Sequence, residues 1–396
     1  MSRPVIRTKH KIVAGIEAEF LKLIRTHNGL SRVELARQLH LAPSTSGIYV
    51  DRLKREGFLV ESERVDRKHG RRPTLLTPAP SAGCFVGVDF EASSLMTTVV
   101  DFSLQVVSRF QRTLAKGESV DRILQKIEDA IQTAIKNARL PLLGIGVGVP
   151  GVIDSVRGVA SHYEFVPGWE NVPVTERLVK KFNAPVHLEN NIRSMAMAEL
   201  WLGQGRGLRN FVCVGVRTGI GVGVVINGEL YCGAHGGAGE IGEWPIPAGL
   251  ADRLLTSGKT LEEVASLGAI LRAASTAAGQ ELDMEGLKAA VEAGNRSVKK
   301  VLEQVAAVQG AAIRQLHMLF DAERFIMVGP LADLGAALLT PLTIEVGQDF
   351  DGAAPPPVTP ALGQCGGAVG APALALHRWK PNHLRRGSRR SEAAGE

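Results

Sequence analysis

The chain has only four cysteines in 396 residues, Cys84, Cys213, Cys232 and Cys365. They are widely spaced and form no Cys-x-x-Cys pair. That spacing argues against a disulfide scaffold and suits small buried hydrophobes in a reducing compartment. No apolar run reaches the roughly 18 residues of a membrane span. The longest candidates, Pro141–Asp154 and Phe211–Gly228, are short or interrupted by Arg217. No secretory signal is expected at the basic N-terminus. Glu17 and Glu19 fall where its apolar stretch is needed. These absences point to a cytoplasmic protein without membrane contact. No short-period repeat is visible, which argues against a solenoid.

What is present is ordinary globular composition, 45% apolar and 22% charged, in a length that suits two or three domains. The net charge of +6 is unevenly spread. Residues 1–80 hold 16 Lys+Arg against 8 Asp+Glu, net +8. Residues 81–377 hold 24 against 30, net −6, and residues 378–396 hold 6 against 2, net +4. A basic head, an acidic body and a basic tail imply different partners for different parts.

The head has the punctuation of a helix-turn-helix. Ile16, Phe20, Leu23 and Ile24 recur at helical spacing over 16–28, and Gly29 follows. Ser31-Arg-Val-Glu34 is a capping box opening a helix that carries Val33, Leu35, Ala36 and Leu39. Pro43 suits the first turn of the next helix, which is expected to bury Ile48 and Leu53 and to stop at Gly57. Phe58–Val60 and Thr74–Leu76 read as two strands of a wing, with Arg64, Arg67, Lys68, Arg71 and Arg72 between them. The head thus resembles the winged helix-turn-helix of bacterial repressors. Ser44, Thr45, Ser46 and Tyr49 are expected to meet base edges of double-stranded operator DNA. Arg52, Lys54 and the wing cations are expected to meet phosphates or the minor groove.

The body alternates strands with helices and glycine turns. Strands are expected at 84–89, 95–101, 104–114, 142–149, 186–188, 211–215, 220–226 and 325–328. Helices are expected at 120–138, from 191 to about 202, and at 285–319. This is an α/β pattern.

Five motifs then appear in one order. They are Val147-Gly-Val-Pro-Gly-Val-Ile-Asp154, Pro167-Gly-Trp-Glu-Asn-Val-Pro173, Leu188-Glu-Asn-Asn191, Thr218-Gly-Ile-Gly221 to Asn227-Gly228, and Gly236-Gly-Ala-Gly-Glu-Ile-Gly242. The series resembles the ROK family of repressors, open reading frames and sugar kinases, over about residues 10–378. The resemblance implies an actin-like ATPase fold of two α/β lobes around a sugar cleft. It divides the chain into a head at 1–80, a first lobe at 81–200 and a second lobe at 201–359. A last helix near 360–377 is expected to return to the first lobe, and residues 378–396, beyond the resemblance, read as a flexible basic tail.

The sequence departs from the family pattern where the kinases do chemistry. Their Glu-Asn-Asp supplies an Asp base, but here the third residue is Asn191, which cannot take a proton at neutral pH. Their Asp-x-Gly-Gly-Thr phosphate loop is Asp89-Phe-Glu-Ala-Ser93, and Glu91 is expected to repel phosphate. Their adenosine-side Gly-Gly is Gly329-Pro330. Thr218-Gly-Ile-Gly221 is intact and reads best as a hairpin turn that needs glycine. The family's zinc positions fall on Glu243, Arg253, Leu255 and Thr260, so no metal is expected. The loop at 244–260 is then expected to be held by ordinary packing around Trp244.

Sugar recognition is better kept. The resemblance assigns ligand contacts to Gly151, Asn190, Asn191, Glu240, Glu243 and Glu262, a set of amides and carboxylates suited to hydroxyl groups. The expected protein is a transcriptional regulator, a repressor by family branch. It would sense a sugar or sugar derivative without phosphorylating it, as a homodimer or dimer of dimers, with no cofactor. Two alternatives stay open: a sugar kinase with a DNA-binding head, and a DNA-binding regulator controlled by a protein partner.

Overall fold

A computed structural model describes residues 4–27, 29–63, 74–91, 93–115, 117–246, 250, 259–347, 354–363 and 366–381, with only the backbone of 4–14. The chain opens with helix α1 (Pro4–Thr26), which starts well before the expected position and buries Phe20, Leu21 and Ile24. Helix α2 (Arg32–Gln38) begins at the predicted capping box. The Ser31 side chain accepts from the Glu34 N–H, and Glu34 reaches back to the Ser31 N–H at 2.8 Å. Helix α3 (Pro43–Arg55) has its proline in the first turn. Strands β1 (Leu59–Glu63) and β2 (Thr74–Pro78) pair antiparallel. The expected wing cations Arg64, Arg67, Lys68, Arg71 and Arg72 lie between them, outside the described residues.

Two apolar expectations fail here. Ile48 is 60% exposed and Val33 is 76% exposed. The buried face of α3 is Ser46, Val50 and Leu53, spaced by four and three, and residue 48 falls off that stripe. On the two-turn α2, Leu35 and Ala36 take the core and Val33 points away.

The body contains two main sheets. Strands β3 (Cys84–Glu91), β4 (Ser94–Asp101) and β5 (Val106–Thr113) run antiparallel in sequence. Helix α4 (Val120–Ala138) leads to β6 (Leu142–Val149), parallel to β3. A small antiparallel sheet follows, β7 (Val152–Asp154), β8 (Val159–His162) and β9 (Glu170–Val172). Helix α5 (Val174–Phe182) leads to β10 (Val186–Asn190), which closes the five-stranded order β10-β6-β3-β4-β5. Helix α6 (Asn191–Leu202) then crosses to the second sheet.

That second sheet is built from β11 (Phe211–Val216), β12 (Ile220–Ile226) and β13 (Glu229–Tyr231). Helices α7 (Leu261–Ala265), α8 (Leu267–Ala278), α9 (Met284–Glu292) and α10 (Arg296–Phe320) come next. Strand β14 (Arg324–Val328) lies parallel to β11, giving the order β13-β12-β11-β14. Helix α10 buries Val298, Val301, Leu302, Val305, Ala312, Ile313 and Leu316, a stripe at spacings of three and four. Helix α11 (Ala336–Val346) packs on it.

Helix α12 (Gly366–Arg378) returns to the first sheet, packing on β3, β6 and α6. Its approach is so close that glycine is required opposite. A Cβ on Gly146 would lie 1.7 Å from the Ala371 carbonyl oxygen, and one on Gly87 would lie 2.0 Å from Pro372. Within α12 itself, a Cβ on Gly370 would lie 1.6 Å from the Ser194 carbonyl oxygen of α6. Gly370 is therefore a backbone-to-backbone contact, whereas a Cβ on Gly367 would lie 2.5 Å from the Asp89 carboxylate.

No helix among the described residues is long and apolar enough to cross a membrane. Cys84 and Cys213 are buried thiols, Cys232 is half-buried, and Cys365 lies outside the described residues.

Candidate functional site

A cleft of about 280 Å³ opens between the sheets. Its walls come from the end of β3, the turn after β6, the β8–β9 connection, the start of α6, the β11–β12 turn and the loop at 239–243. All six residues assigned to the ligand from sequence, Gly151, Asn190, Asn191, Glu240, Glu243 and Glu262, line it.

Their side chains are not equally free. The Asn190 oxygen caps α6, accepting from the N–H groups of Ile192 at 2.9 Å and Arg193 at 3.3 Å. Its amide nitrogen donates to the Gly151 carbonyl at 3.1 Å. Asn190 therefore shapes the wall, as an N-cap does, and its side chain is engaged by the protein. Asn191 is buried at the first position of α6, and its amide has no partner among the described residues. Gly151 has φ +76°, and a Cβ there would meet the His162 carbonyl at 2.2 Å. The turn itself thus demands glycine.

Glu240 and Glu243 are exposed at the mouth of the cleft. Nearby walls still push the Glu240 carboxyl above its usual range, Arg193 opposing and Glu262 adding to the shift. Glu262, half-buried, accepts from the Ile220 N–H at 3.0 Å. Burial holds its carboxyl high, with Glu164 and Glu243 adding repulsion. A Cβ on Gly219 would lie 2.6 Å from the Glu262 carboxylate, and one on Gly242 would lie 2.7 Å away. Gly219 thus serves close approach by a carboxylate, which the hairpin reading of Thr218–Gly221 overlooked.

A buried pair fastens the loop that carries Glu240. The Glu189 carboxylate accepts from Arg193 Nε at 2.7 Å and from the Asn190 N–H at 2.9 Å. Arg193 Nη1 in turn donates to the carbonyls of Gly236 at 2.7 Å and Ala238 at 3.0 Å. Both ions are enclosed, so the pair is tolerable only because these hydrogen bonds satisfy it.

Sequence reading missed a second ion cluster on the cleft wall. Arg217 Nη1 lies 2.9 and 3.2 Å from the two Asp89 oxygens, and Nη2 lies 2.7 Å from Glu91. Burial pulls the guanidinium pKa down, but the two carboxylates outweigh it and the net shift is upward. Asp89 is pushed up to about 6 by burial, with Arg217 opposing. The signal was Arg217 itself, a lone cation inside an apolar run. Glu164 and Phe165 were also missed, because the β8–β9 connection brings them to the cleft from no motif position. The described residues contain no cluster of metal-ligating side chains. Thr260 caps α7, Trp244 packs on the second sheet's core, and Arg253 and Leu255 lie outside the described residues.

At the N-terminal module, Ser44 and Thr45 are exposed on α3. Ser46 is fully buried, which corrects its assignment to a base-reading face. It lies on the Val50–Leu53 stripe, whereas Ile48 shares the open face. Tyr49 is half-buried against Phe20, ring centroids 5.4 Å apart. Arg52 pairs at 3.3 Å with the fully buried Glu17, and Lys54 pairs with Glu61 at 2.8 Å. Both cations already have acidic partners within the module.

The family model described as "ROK family" matches residues 85–378. The xylose repressor of Caldicellulosiruptor bescii is 28% identical over 346 residues, 83% of this chain and 86% of that protein. A glucokinase of Halalkalibacterium halodurans is 28% identical over 65% of this chain and 83% of its own length. Among solved structures, a ROK family transcriptional regulator, a homologue of the E. coli MLC protein, superposes with TM-score 0.75 at 21% identity. That match covers 92% of this chain and 97% of the other. A ROK glucokinase from Streptomyces griseus, solved with glucose and AMPPNP, gives 0.67 at 24% identity, covering 74% and 99%. The body therefore has the actin-like fold of ROK sugar kinases.

Proposed function

The chain belongs to the ROK family, and on that premise we propose that it is a DNA-binding transcriptional repressor whose cleft senses a sugar without phosphorylating it. One observation carries the reading: Asn191, with its amide unpartnered among the described residues, faces the cleft where a kinase of this family needs a carboxylate base. An amide can donate to and accept from a hydroxyl but cannot remove its proton at neutral pH. Glu240, Glu243 and Glu262 add acceptors around the same space, which suits a polyol. The xylose repressors among the relatives make xylose the first effector to try.

The N-terminal module is read as a winged helix-turn-helix. Ser44, Thr45 and Ile48 form the open face of α3, and Ile48 offers an apolar contact of the kind that meets a thymine methyl. The cations at 64–72 supply phosphate contacts by charge alone. A homodimer places two such modules on two half-sites. Sugar and operator then alter each other's affinity by the same factor. The reading needs neither cofactor nor metal.

Operator binding with and without xylose and a hexose panel tests this. A sugar that binds should change operator affinity by about 5- to 150-fold. A bound sugar that leaves operator affinity unchanged defeats the sensing mechanism. The glucokinase relatives favour a second reading, an active kinase. ATP turnover over the same panel decides between them, and measurable sugar phosphorylation defeats the first.

A further inference from the structure

Glu91 ends β3 on the first sheet, yet its carboxylate lies on the β11–β12 turn of the second. One carboxylate oxygen accepts from the Thr218 N–H at 3.1 Å and from the Thr218 hydroxyl at 3.0 Å. The other faces Arg217 Nη2 at 2.7 Å. Three donors from two consecutive residues thus converge on one anion from a strand 127 positions away in sequence. The convergence is a built feature. Arg217 is buried, held in place by Asp89, and its Nε has no partner, so the guanidinium carries more donors than its carboxylates use. A backbone N–H, a hydroxyl and a guanidinium around one point form a receptor for an oxyanion, and a carboxylate and a phosphoryl group present the same charged acceptors.

We infer that the Arg217–Thr218 turn is an anion-binding site which the chain fills with its own Glu91 carboxylate, so that phosphate is excluded by occupation. This deepens the proposed function and rests on its reading of the cleft as one without phosphoryl transfer. It also replaces the expectation that Glu91 only repels phosphate. The side chain does not project into empty space; it bridges the two sheets and takes the donors.

Removing the carboxylate vacates the site. Arg217 then keeps Asp89 as its counter-charge, and the Thr218 donors are released beside it. Inorganic phosphate and ATP, titrated separately by calorimetry at pH 7.5 into the full chain, test this. Wild type should bind neither, and Glu91→Ala should bind phosphate at least tenfold more tightly than wild type. Glu91→Gln, which still accepts from Thr218, should gain far less. Glu91→Asp keeps the charge but falls one methylene short, and should give an intermediate gain. That variant maintains the test if the alanine protein fails to fold. Equal phosphate affinity in wild type and in folded Glu91→Ala or Glu91→Asp overturns the inference, while leaving sugar-dependent operator binding untouched. Failure of the sugar response in wild type, with phosphate gained by Glu91→Ala, instead overturns the functional reading and spares the anion site.

Discussion

The N-terminal module meets the two halves of the body through different chemistry. Toward the first sheet the contact is apolar. Phe58 of the module, Phe85 of the sheet, Phe102 just after β4 and Trp379 after α12 form one cluster, with ring centroids 5.0 to 6.4 Å apart. Phe20, Ile24 and Leu53 belong to the same core as Val100 and Leu376. Toward the second sheet the contact is polar and half-open. Lys22 Nζ lies 2.7 Å from Glu229 on β13, and His377 lies 3.4 Å from the other Glu229 oxygen. Apolar burial cannot be exchanged for water without loss, but a surface ion pair can. A shift of one sheet against the other would therefore carry the module with the first sheet, and at the module's own boundary it would break the exposed Lys22–Glu229 contact.

Phe102→Ala strikes the apolar junction and should have the largest effect. Its ring is fully buried, so the truncation should cost about 3–5 kcal/mol in a urea melt. A loss under about 1 kcal/mol would mean that module and sheet do not share a core. The next effect is acid sensitivity near the end of α12. Burial, with Arg378 adding to it, holds His187 down at about 4, against 6.5 when unperturbed. A depressed folded pKa means that stability is complete above about 6.5 and is lost as pH falls toward 4, by up to about 3 kcal/mol. Asp89, raised to about 6, slopes the opposite way between about 4 and 6. The comparison that matters is thus wild type against His187→Gln, whose acid limb should be flatter. Identical pH profiles would remove His187 from the account.

The smallest stability effect belongs to the polar junction. Lys22→Ala or Glu229→Ala should cost less than about 1 kcal/mol, because the pair is substantially exposed. If this contact reports the position of the second sheet, either variant should still bind sugar and operator while the sugar changes operator affinity less. A full sugar response in both variants would leave the polar junction without a role in signalling.

Much of this was legible in the chain. Helix α4 at 120–138 and strand β6 at 142–149 lie where the periodicity of the sequence puts them. The capping box at Ser31 and Glu34 forms as read, because its bonds are local. Errors gather where position depends on a partner distant in sequence. The hydroxyl of Ser46 suggests an exposed position, yet its spacing to Val50 and Leu53 places it on the buried stripe. Asn190 lines the cleft, and only the structure shows that its oxygen also serves the N–H groups that open α6. The contact of Glu91 with Thr218 is invisible in the sequence, because 127 positions separate the two.

By itself the sequence determined the order of elements, the family of the body, the separation of basic head from acidic body, and the asparagine at position 191. These follow from local propensity, hydrophobic period and residue identity, none of which needs a fold. Only the tertiary structure decided how the polar groups are used. Hydrogen bonds and ion pairs depend on distances of about 3 Å between residues far apart in the chain. Folding brings Glu91 to Thr218, Glu262 to Gly219 and Lys22 to Glu229, and so sorts the cleft's carboxylates into those already satisfied and those still open to a ligand.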